Sequence, residues 1–226
     1  MNSFLVDTLY AVLTIGSTAA ATCTLELAAR GSLQRATGVF YPVVAVLSGL
    51  VLFGLLGAAL LFVLRRAVPL SEGEHLFRSV AFRRWKIHFN LQEAALRALL
   101  PFVPVTGRAW LFRLFGADIA SPAVVAGLLT DPALTHLGKR VIVGSGALIS
   151  CHLLVDGRFA LRAVRVGDGV TIGGGSIVMA GVEIGDGAIL TPGSVALAGT
   201  RIPAGELWTG NPARKMSASA IKPPRA

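Results

Sequence analysis

The chain has 226 residues, of which 54% are hydrophobic and only 15% are charged. Average soluble domains carry about 25% charged residues, and the mean hydropathy of +0.69 excludes an ordinary soluble domain and a disordered chain. The net charge is +9, and the two cysteines, Cys23 and Cys151, lie far apart, which excludes a disulfide scaffold and favours reduced thiols on a cytoplasmic face.

Two apolar stretches near the N-terminus predict membrane helices. Residues 36–64 contain no charged residue and exceed the roughly 20 apolar residues that a helix needs to span a bilayer. Residues 8–25 are also uncharged but rich in Thr, which suits a helix that packs on other helices in lipid. A cleaved signal peptide is the less favoured alternative, because no base precedes Arg30. We expect a transmembrane hairpin over 1–68, joined near 30–38.

Basic residues indicate the orientation of this hairpin. Residues 65–113 carry nine Lys and Arg against three Glu, whereas the expected loop has only Arg30 and Arg35. The positive-inside rule therefore predicts a two-pass protein of the inner membrane with both ends in the cytoplasm. Residues 69–115 interleave aromatic and basic residues, which predicts short helices on the membrane surface. A simple connector and a nucleic-acid patch are the alternatives; the latter is weaker directly after a membrane span.

The C-terminal half has a six-residue period. Aliphatic residues recur at Val166, Ile172, Val178, Ile184 and Leu190. The same register runs earlier from 119 to 155, with Asp131 at one of its positions. This period fits neither a helix nor an ordinary strand, but it is typical of a parallel β-helix. Three repeats make one coil, so 119–154 and 166–201 each give two coils. The register slips between 155 and 166, which predicts an extra loop of about five residues.

The repeat resembles that of the hexapeptide-repeat acyltransferases. In each repeat an aliphatic residue is followed by glycine and, three positions after the glycine, by a small residue. The resemblance covers residues 116–216, and the pattern closes with Gly210-Asn211-Pro212-Ala213-Arg214. The resemblance implies a left-handed parallel β-helix of about four to five coils, usually trimeric, that uses acyl-CoA or a similar thioester.

A narrower resemblance is to the membrane and β-helix domains that end epsilon-poly-L-lysine synthetase and related nonribosomal peptide synthetases. It rests on Asp131-Pro132-Ala133-Leu134, Cys151-His152-Leu153-Leu154 and the tail from Leu207 to Ala213. Those synthetases carry such domains in tandem with several membrane helices, so a homotrimer of this chain would reproduce the arrangement. A carrier protein or a peptide synthetase is then an expected partner.

Acyl transfer to an amine or hydroxyl needs a base, and histidine is the usual one. His75 and His88 fall in the expected interfacial segment and are interpreted as surface or headgroup contacts. His136 lies within a coil, where a structural or exposed role is expected. His152 lies beside the predicted extra loop, and the resemblance implies that it is the general base. The alternative is an ordinary loop histidine.

Asp156 and Arg158 follow His152 and are candidates for orienting it or for binding substrate. The resembled family usually has Glu-Asp-Arg here, whereas this chain has Val155-Asp156-Gly157-Arg158, so a structural salt bridge is an equal alternative. Cys151 is a weaker candidate nucleophile, because adjacent residues on an extended chain point to opposite faces.

The resemblance implies that a thioester donor lies along the β-helix, between neighbouring subunits. Backbone contacts are expected where glycine permits close approach. Arg214 and Lys215 are candidate phosphate contacts or merely solvated charges. Trp208 is expected either to stack on the donor or to cover the open end of the coil. The candidate donor-binding residues are Gly174, Gly175, Ser194, Trp208, Asn211, Arg214 and Lys215.

We expect no metal and no covalently bound cofactor. Only His136 and His152 fall in the repeat domain, too few for the three histidines of related metal-dependent β-helix enzymes. The glycine run 173–175 lacks the Lys-Ser/Thr of a phosphate loop. The expected co-substrate is acetyl-CoA, another acyl-CoA or a carrier-protein thioester.

The sequence thus predicts a membrane-anchored acyltransferase that modifies an amine or a hydroxyl. The expected domains are the hairpin over 1–68, interfacial helices over 69–115, a β-helix over 116–216 and a flexible tail over 217–226. A non-catalytic trimeric scaffold, or a detached module of a peptide synthetase, is the alternative. No nucleic-acid partner is expected.

Overall fold

A computed structural model of the protein describes residues 3–216, with side chains from residue 8 onward. The tail that the sequence predicts to be flexible, 217–226, lies outside the described residues. The chain divides into two compact units. The first is helical and contains residues up to 71 together with 76–104; the second is rich in short strands and contains 72–75 and everything from 105 onward.

The helical unit begins with two long helices, α1 (Ser3–Thr37) and α2 (Tyr41–Ala67). The chain reverses in the 3-10 turn Gly38–Phe40, where Gly38 adopts a φ of +54°, a value that glycine tolerates well. Residues 30–37, where the sequence predicts a loop, therefore belong to α1, because the connection needs only the three residues Gly38–Phe40. The Ser48 hydroxyl donates a 2.8 Å hydrogen bond to Glu26 Oε1, which ties the two helices together.

The helical stretch Thr8–Ala67 is long and apolar enough to cross a membrane. Only 22% of its most apolar window is buried within the structure, so most of this apolar surface is left uncovered by the described part of the chain.

Helix α3 (Val80–Leu99) packs along α2, and a 3-10 turn, Leu100–Phe102, follows it. A Cβ added at Gly57 of α2 would lie 2.6 Å from the Cβ of Ala95, so the glycine permits the close approach of the helices. The expectation that His88 contacts the surface or headgroups is wrong. Its side chain is buried because α3 turns it toward α2, and Nε2 donates a 3.0 Å hydrogen bond to the Val68 carbonyl. Burial lowers the pKa of His88.

An aromatic ladder runs through the start of α3. The rings of Phe82, Trp85 and Phe89 stack in sequence, with centroids 5.7 Å and 4.9 Å apart. Trp85 is buried in this ladder rather than lying outward toward a membrane interface.

The second unit opens with strand β1 (Gly73–Leu76) and helix α4 (Val105–Leu114) and continues as a three-sided prism of stacked parallel strands. The first face contains β2 (Asp118–Ile119), β5 (Thr135–Leu137), β10 (Val164–Val166), β13 (Glu183–Ile184) and β16 (Arg201–Ile202). The second contains β3 (Val124–Val125), β6 (Ile142–Val143), β11 (Thr171–Ile172), β14 (Ile189–Leu190) and β17 (Leu207–Thr209), which pairs antiparallel with β18 (Arg214–Lys215). The third contains β4 (Leu128–Leu129), β7 (Leu148–Ile149), β12 (Ile177–Val178) and β15 (Val195–Ala196).

Each coil contributes one strand to each face, and one aliphatic side chain per strand points into the prism. Val166 lies beside Ile184, Ile172 beside Leu190 and Val178 beside Ala196, so one regular coil takes three of the six-residue repeats. The chain completes four coils and two strands of a fifth, which confirms the β-helix that the six-residue period predicts.

The prism departs from the predicted register at two places. Leu137 pairs with Val166 instead of with Val155, so eleven residues are inserted rather than about five. They form a β-hairpin of β8 (His152–Val155) and β9 (Arg158–Leu161), and Val155 is half exposed on it instead of pointing into the prism. In the first coil Leu129, not Asp131, faces inward, because Leu129 is the residue that pairs with Ile149 of the next coil.

The hairpin turns at Asp156 and Gly157, whose φ values of +48° and +71° suit a tight two-residue turn. Strand β1 joins the hairpin as the third strand of a small sheet. Glu72 Oε2 accepts the Ala163 N–H at 2.8 Å, and Glu74 bonds to Arg162 at 2.6 Å. The hairpin is therefore held at its base by charged side chains from the start of this unit.

Candidate functional site

His152 and Asp131 form a close pair at the corner where the third face meets the first. His152 begins the hairpin after β7, and Asp131 lies at the same corner one coil earlier, just before the 3-10 turn Pro132–Leu134. Their side chains approach to 2.7 Å between Nδ1 and Oδ2 and are only 18% and 6% exposed. Stacking of coils therefore joins two residues that are 21 positions apart in the chain.

The carboxylate of Asp131 accepts from several donors at the same oxygen. Besides His152, the Thr130 hydroxyl donates to Oδ2 at 2.9 Å and the Cys151 N–H donates at 3.1 Å. Because a carboxylate oxygen can only accept, Nδ1 of His152 carries the proton of this bond and donates it. In the neutral tautomer that carries its proton on Nδ1, Nε2 is the nitrogen that can accept a proton.

Asp131 makes the contact with His152 for which the sequence offers Asp156 as one candidate. Asp156 lies at the hairpin turn, four residues from His152 along an extended strand. Arg158 lies 3.9 Å from Glu74, and both side chains are well exposed. The signal for Asp131 was present in the sequence, since an aspartate occupies a position of the six-residue register that otherwise takes aliphatic residues.

Cys151 is unsuited to be a nucleophile. Its side chain is fully buried, and burial raises the pKa of the thiol to about 12. Its Sγ donates to the Leu134 carbonyl at 3.3 Å. A neutral, enclosed thiol lacks the thiolate character that nucleophilic catalysis requires.

The remaining histidines of this unit lie elsewhere. His136 also meets a carboxylate, that of Asp118, but at 3.2 Å on the outer surface of the first face, where the two side chains are 35% and 80% exposed. His75 belongs to β1, and its ring stacks on Phe159 with centroids 6.2 Å apart. The half-buried His75 side chain thus lies on the small sheet that β1 forms with the hairpin.

Most of the candidate donor-binding residues gather at a different corner, between the second and third faces. Gly174 and Gly175 lie there, and the Gly174 carbonyl accepts the N–H of Gly193 from the next coil at 2.9 Å. Ser194 follows, but its hydroxyl is buried and accepts the Gly210 N–H at 3.1 Å. The turn containing Asn211 thus packs at the same corner.

Trp208, Arg214 and Lys215 lie on the closing strands of the second face. Glu206 binds two neighbours there, accepting from Trp208 Nε1 at 2.9 Å and from Lys215 Nζ at 2.5 Å. These bonds, Lys215 first, lower the pKa of Glu206. Arg214 is exposed, with one bond to the Ala213 carbonyl at 3.0 Å. Within one chain the third face separates these donor-binding candidates from His152.

The repeat itself matches a known family in part. A family model described as bacterial transferase hexapeptide (six repeats) matches residues 163–196. Together with the three parallel faces, this repeat identifies the prism as a left-handed β-helix. No curated protein matches the chain.

Solved structures resemble part of the chain. A hexapeptide-repeat acetyltransferase of Vibrio cholerae O1 biovar eltor, in complex with acetyl coenzyme A, is 23% identical with a TM-score of 0.41, over 45% of this chain and 60% of its own. A maltose O-acetyltransferase of Clostridium difficile 630 is 22% identical with a TM-score of 0.41, over 48% and 73%. A galactoside acetyltransferase in complex with coenzyme A is 18% identical with a TM-score of 0.37, over 50% and 70%. The chain thus spans less than two thirds of the first of these proteins.

Proposed function

We propose that this protein is a membrane-anchored acyltransferase that moves an acyl group from a thioester to an amine or a hydroxyl, with His152 as the general base. The observation that carries the proposal is the 2.7 Å bond between His152 Nδ1 and the buried carboxylate of Asp131. A histidine held in this way has a defined basic nitrogen at a partly open corner of the prism.

The reaction follows from this arrangement. Nε2 of His152 takes the proton of the acceptor N–H or O–H as the acceptor atom attacks the thioester carbonyl. Asp131 stabilises the imidazolium that forms. The C–S bond then breaks, the thiolate leaves, and the imidazolium returns the proton to that sulfur. The base is regenerated and the acyl group ends on the acceptor, so protons and electron pairs balance.

The proposed donor is an acyl-CoA, with acetyl-CoA the first to test. The transferase repeat over 163–196 and the resemblance of the closing segment support this choice. The backbone near Gly174 and Gly175 would lie along the donor. Arg214 and Lys215 would contact its phosphates; Lys215 lies beside Trp208 and is bonded to Glu206.

We propose that two copies build each site within a homotrimer. His152 and the donor-binding candidates occupy opposite edges of the third face, so a single chain leaves its base far from its own donor corner. A threefold arrangement brings the His152 corner of one copy against the donor corner of the next. A monomeric mass in mild detergent would contradict this arrangement.

The helical unit would anchor the protein in the inner membrane as a two-pass hairpin, with the β-helix in the cytoplasm. The mostly uncovered apolar stretch Thr8–Ala67 supports the anchor, and the bases that follow it support the orientation. We expect the protein to stay in the membrane fraction after alkaline carbonate extraction. Release into the supernatant would contradict the anchor.

The experiment for the reaction compares two histidines that each meet an aspartate. Acetyl-CoA consumption by the detergent-purified protein is followed by chromatography with a panel of amines and alcohols. His152→Ala is expected to lower the rate by about 10²- to 10⁴-fold, whereas the surface variant His136→Ala is expected to retain it. Equal rates in wild type and His152→Ala would overturn the proposal and favour a non-catalytic scaffold.

The donor is tested separately by calorimetry. Acetyl-CoA is expected to bind wild type and His152→Ala equally, and to bind an Arg214→Ala, Lys215→Ala double variant more weakly. Absence of binding to folded, trimeric wild type would overturn the CoA donor and direct the search to a carrier-protein thioester, which the likeness to peptide synthetase domains implies.

A further inference from the structure

Beyond the base and its carboxylate, we infer that Thr130 is a positioning residue of the site, which orients Asp131 and thereby fixes the proton of His152 on Nδ1. This inference rests on the proposed function, because it assigns a role within the same site. Thr130 does not touch the reacting atoms; it acts through Asp131.

The Thr130 hydroxyl has two possible acceptors. Oγ1 lies 2.9 Å from Asp131 Oδ2 and 3.3 Å from the Ile149 carbonyl. One hydroxyl carries one proton, and a carboxylate is a stronger acceptor than a peptide carbonyl. The shorter distance and the stronger acceptor coincide, so the hydroxyl donates to Asp131.

Several hydrogen bonds hold the carboxylate of Asp131 in place. Thr130 and the Cys151 N–H both approach Oδ2, which leaves this oxygen facing His152 Nδ1 at 2.7 Å. The backbone beneath is also held, because the Thr135 hydroxyl donates to the Asp131 carbonyl at 3.0 Å. Of these three restraints, the Thr130 hydroxyl is the one that a side chain provides to the carboxylate itself.

The position of the Asp131 carboxylate determines which nitrogen of His152 carries the proton. The nitrogen of a neutral imidazole that carries the proton is set by the hydrogen bond that the ring makes. With Oδ2 facing Nδ1 the proton stays there and Nε2 remains a base. Rotation of Asp131 would let the proton move to Nε2, and this fraction of the protein would be unable to accept a proton from the acceptor.

Two substitutions separate the hydroxyl from the shape of the side chain. Thr130→Val removes the hydroxyl and keeps a β-branched side chain of similar size, whereas Thr130→Ser keeps the hydroxyl and removes a methyl group. Thr171→Val makes the same chemical change on the outer surface of the second face, away from this corner. Thermal unfolding of each variant reports any loss of the fold.

The experiment measures kcat, KM and the pH dependence of kcat for these variants, and the tautomer of His152 by ¹⁵N NMR of histidine-labelled full-length protein in detergent. Thr130→Val is expected to lower kcat about tenfold with KM unchanged, and to increase the population with the proton on Nε2. Thr130→Ser is expected to restore both readouts, and Thr171→Val to change neither. Asp131 and Glu72 both act electrostatically on the neighbouring Cys151 thiol, and all three groups stay in place in these variants.

The outcomes are decisive in both directions. If kcat and the tautomer of Thr130→Val match wild type, or if Thr130→Ser is as impaired as Thr130→Val, the positioning role is overturned while the proposed base stands. If His152→Ala, measured alongside, retains the wild-type rate, the proposed function itself fails. The NMR readout does not depend on activity, so it tests the role of Thr130 in either case.

Discussion

Replacement of Asp131 by asparagine is the sharpest test of how the site acts through its carboxylate. The change keeps the size of the side chain and removes its charge. Asp131→Asn would lose one charge-assisted hydrogen bond to His152, formed at 2.7 Å between side chains that are 18% and 6% exposed. A hydrogen bond to a charged group contributes about 1.5–3 kcal/mol, and each 1.4 kcal/mol or so corresponds to tenfold in rate.

We therefore expect kcat of Asp131→Asn to fall by about 10- to 150-fold with KM little changed, because the lost contact stabilises the imidazolium formed in the transition state. The assay is steady-state acetyl transfer by the purified full-length protein. Asp118→Asn is the matched control, since the Asp118–His136 pair is exposed and such surface pairs contribute little. A kcat for Asp131→Asn within twofold of wild type, in a folded protein, would show that the Asp131 carboxylate does not stabilise the imidazolium in the transition state.

Three further predictions concern stability. In the prism, Gly185→Ala would place its Cβ 2.5 Å from the backbone nitrogen of Ala204 in the next coil and should lower the free energy of unfolding by about 1–3 kcal/mol. Gly187→Ala meets open space and bears only the strain of a φ of +65°, which should lower it by about 1 kcal/mol. Urea unfolding should show the larger loss for Gly185→Ala, and the reverse order would contradict the close stacking of the coils. Burial raises the pKa of Cys151 to about 12 from an ordinary value near 9, so the neutral thiol stabilises the fold fully below pH 9 and progressively less toward pH 12. Cys151→Ala should therefore flatten the decline of the unfolding free energy at alkaline pH. An unchanged decline would show that the buried thiol is not its cause. Burial lowers the pKa of His88, so the contribution of His88 to the free energy of unfolding is complete above the ordinary pKa of 6.5 and is lost as the pH falls through the lowered value. His88→Gln should therefore make the thermal unfolding temperature of the helical unit less sensitive to acid. Equal acid sensitivity in wild type and variant would show that His88 is not the cause.

The six-residue period predicts the β-helix because every coil repeats the same requirement, one aliphatic side chain directed inward per strand. It cannot locate an insertion, since a residue such as Val155 satisfies the aliphatic pattern while lying on the hairpin. Only pairing between coils, as between Leu137 and Val166, reveals that eleven residues leave the prism.

The candidate site is predictable at His152 and only half predictable at its partner. Asp131 interrupts the aliphatic register, which marks it as unusual, but its contact with His152 depends on how two coils stack. Thr130 is invisible to sequence reasoning, because a threonine at a turn has an ordinary local explanation. The helical unit shows the same limit, since the length and charge pattern predict a hairpin but not that α3 buries Trp85 and His88.

Transfer of a labelled acetyl group tests directly whether the protein is an acyltransferase that uses His152 as its base. Membranes containing wild type, His152→Ala or His136→Ala are incubated with ¹⁴C-acetyl-CoA, and the label is traced into lipids, proteins and soluble metabolites. We expect a labelled acceptor that forms with wild type and His136→Ala and is nearly absent with His152→Ala. The same labelled product at the same rate in all three, or no labelled product with folded, trimeric wild type, would contradict it.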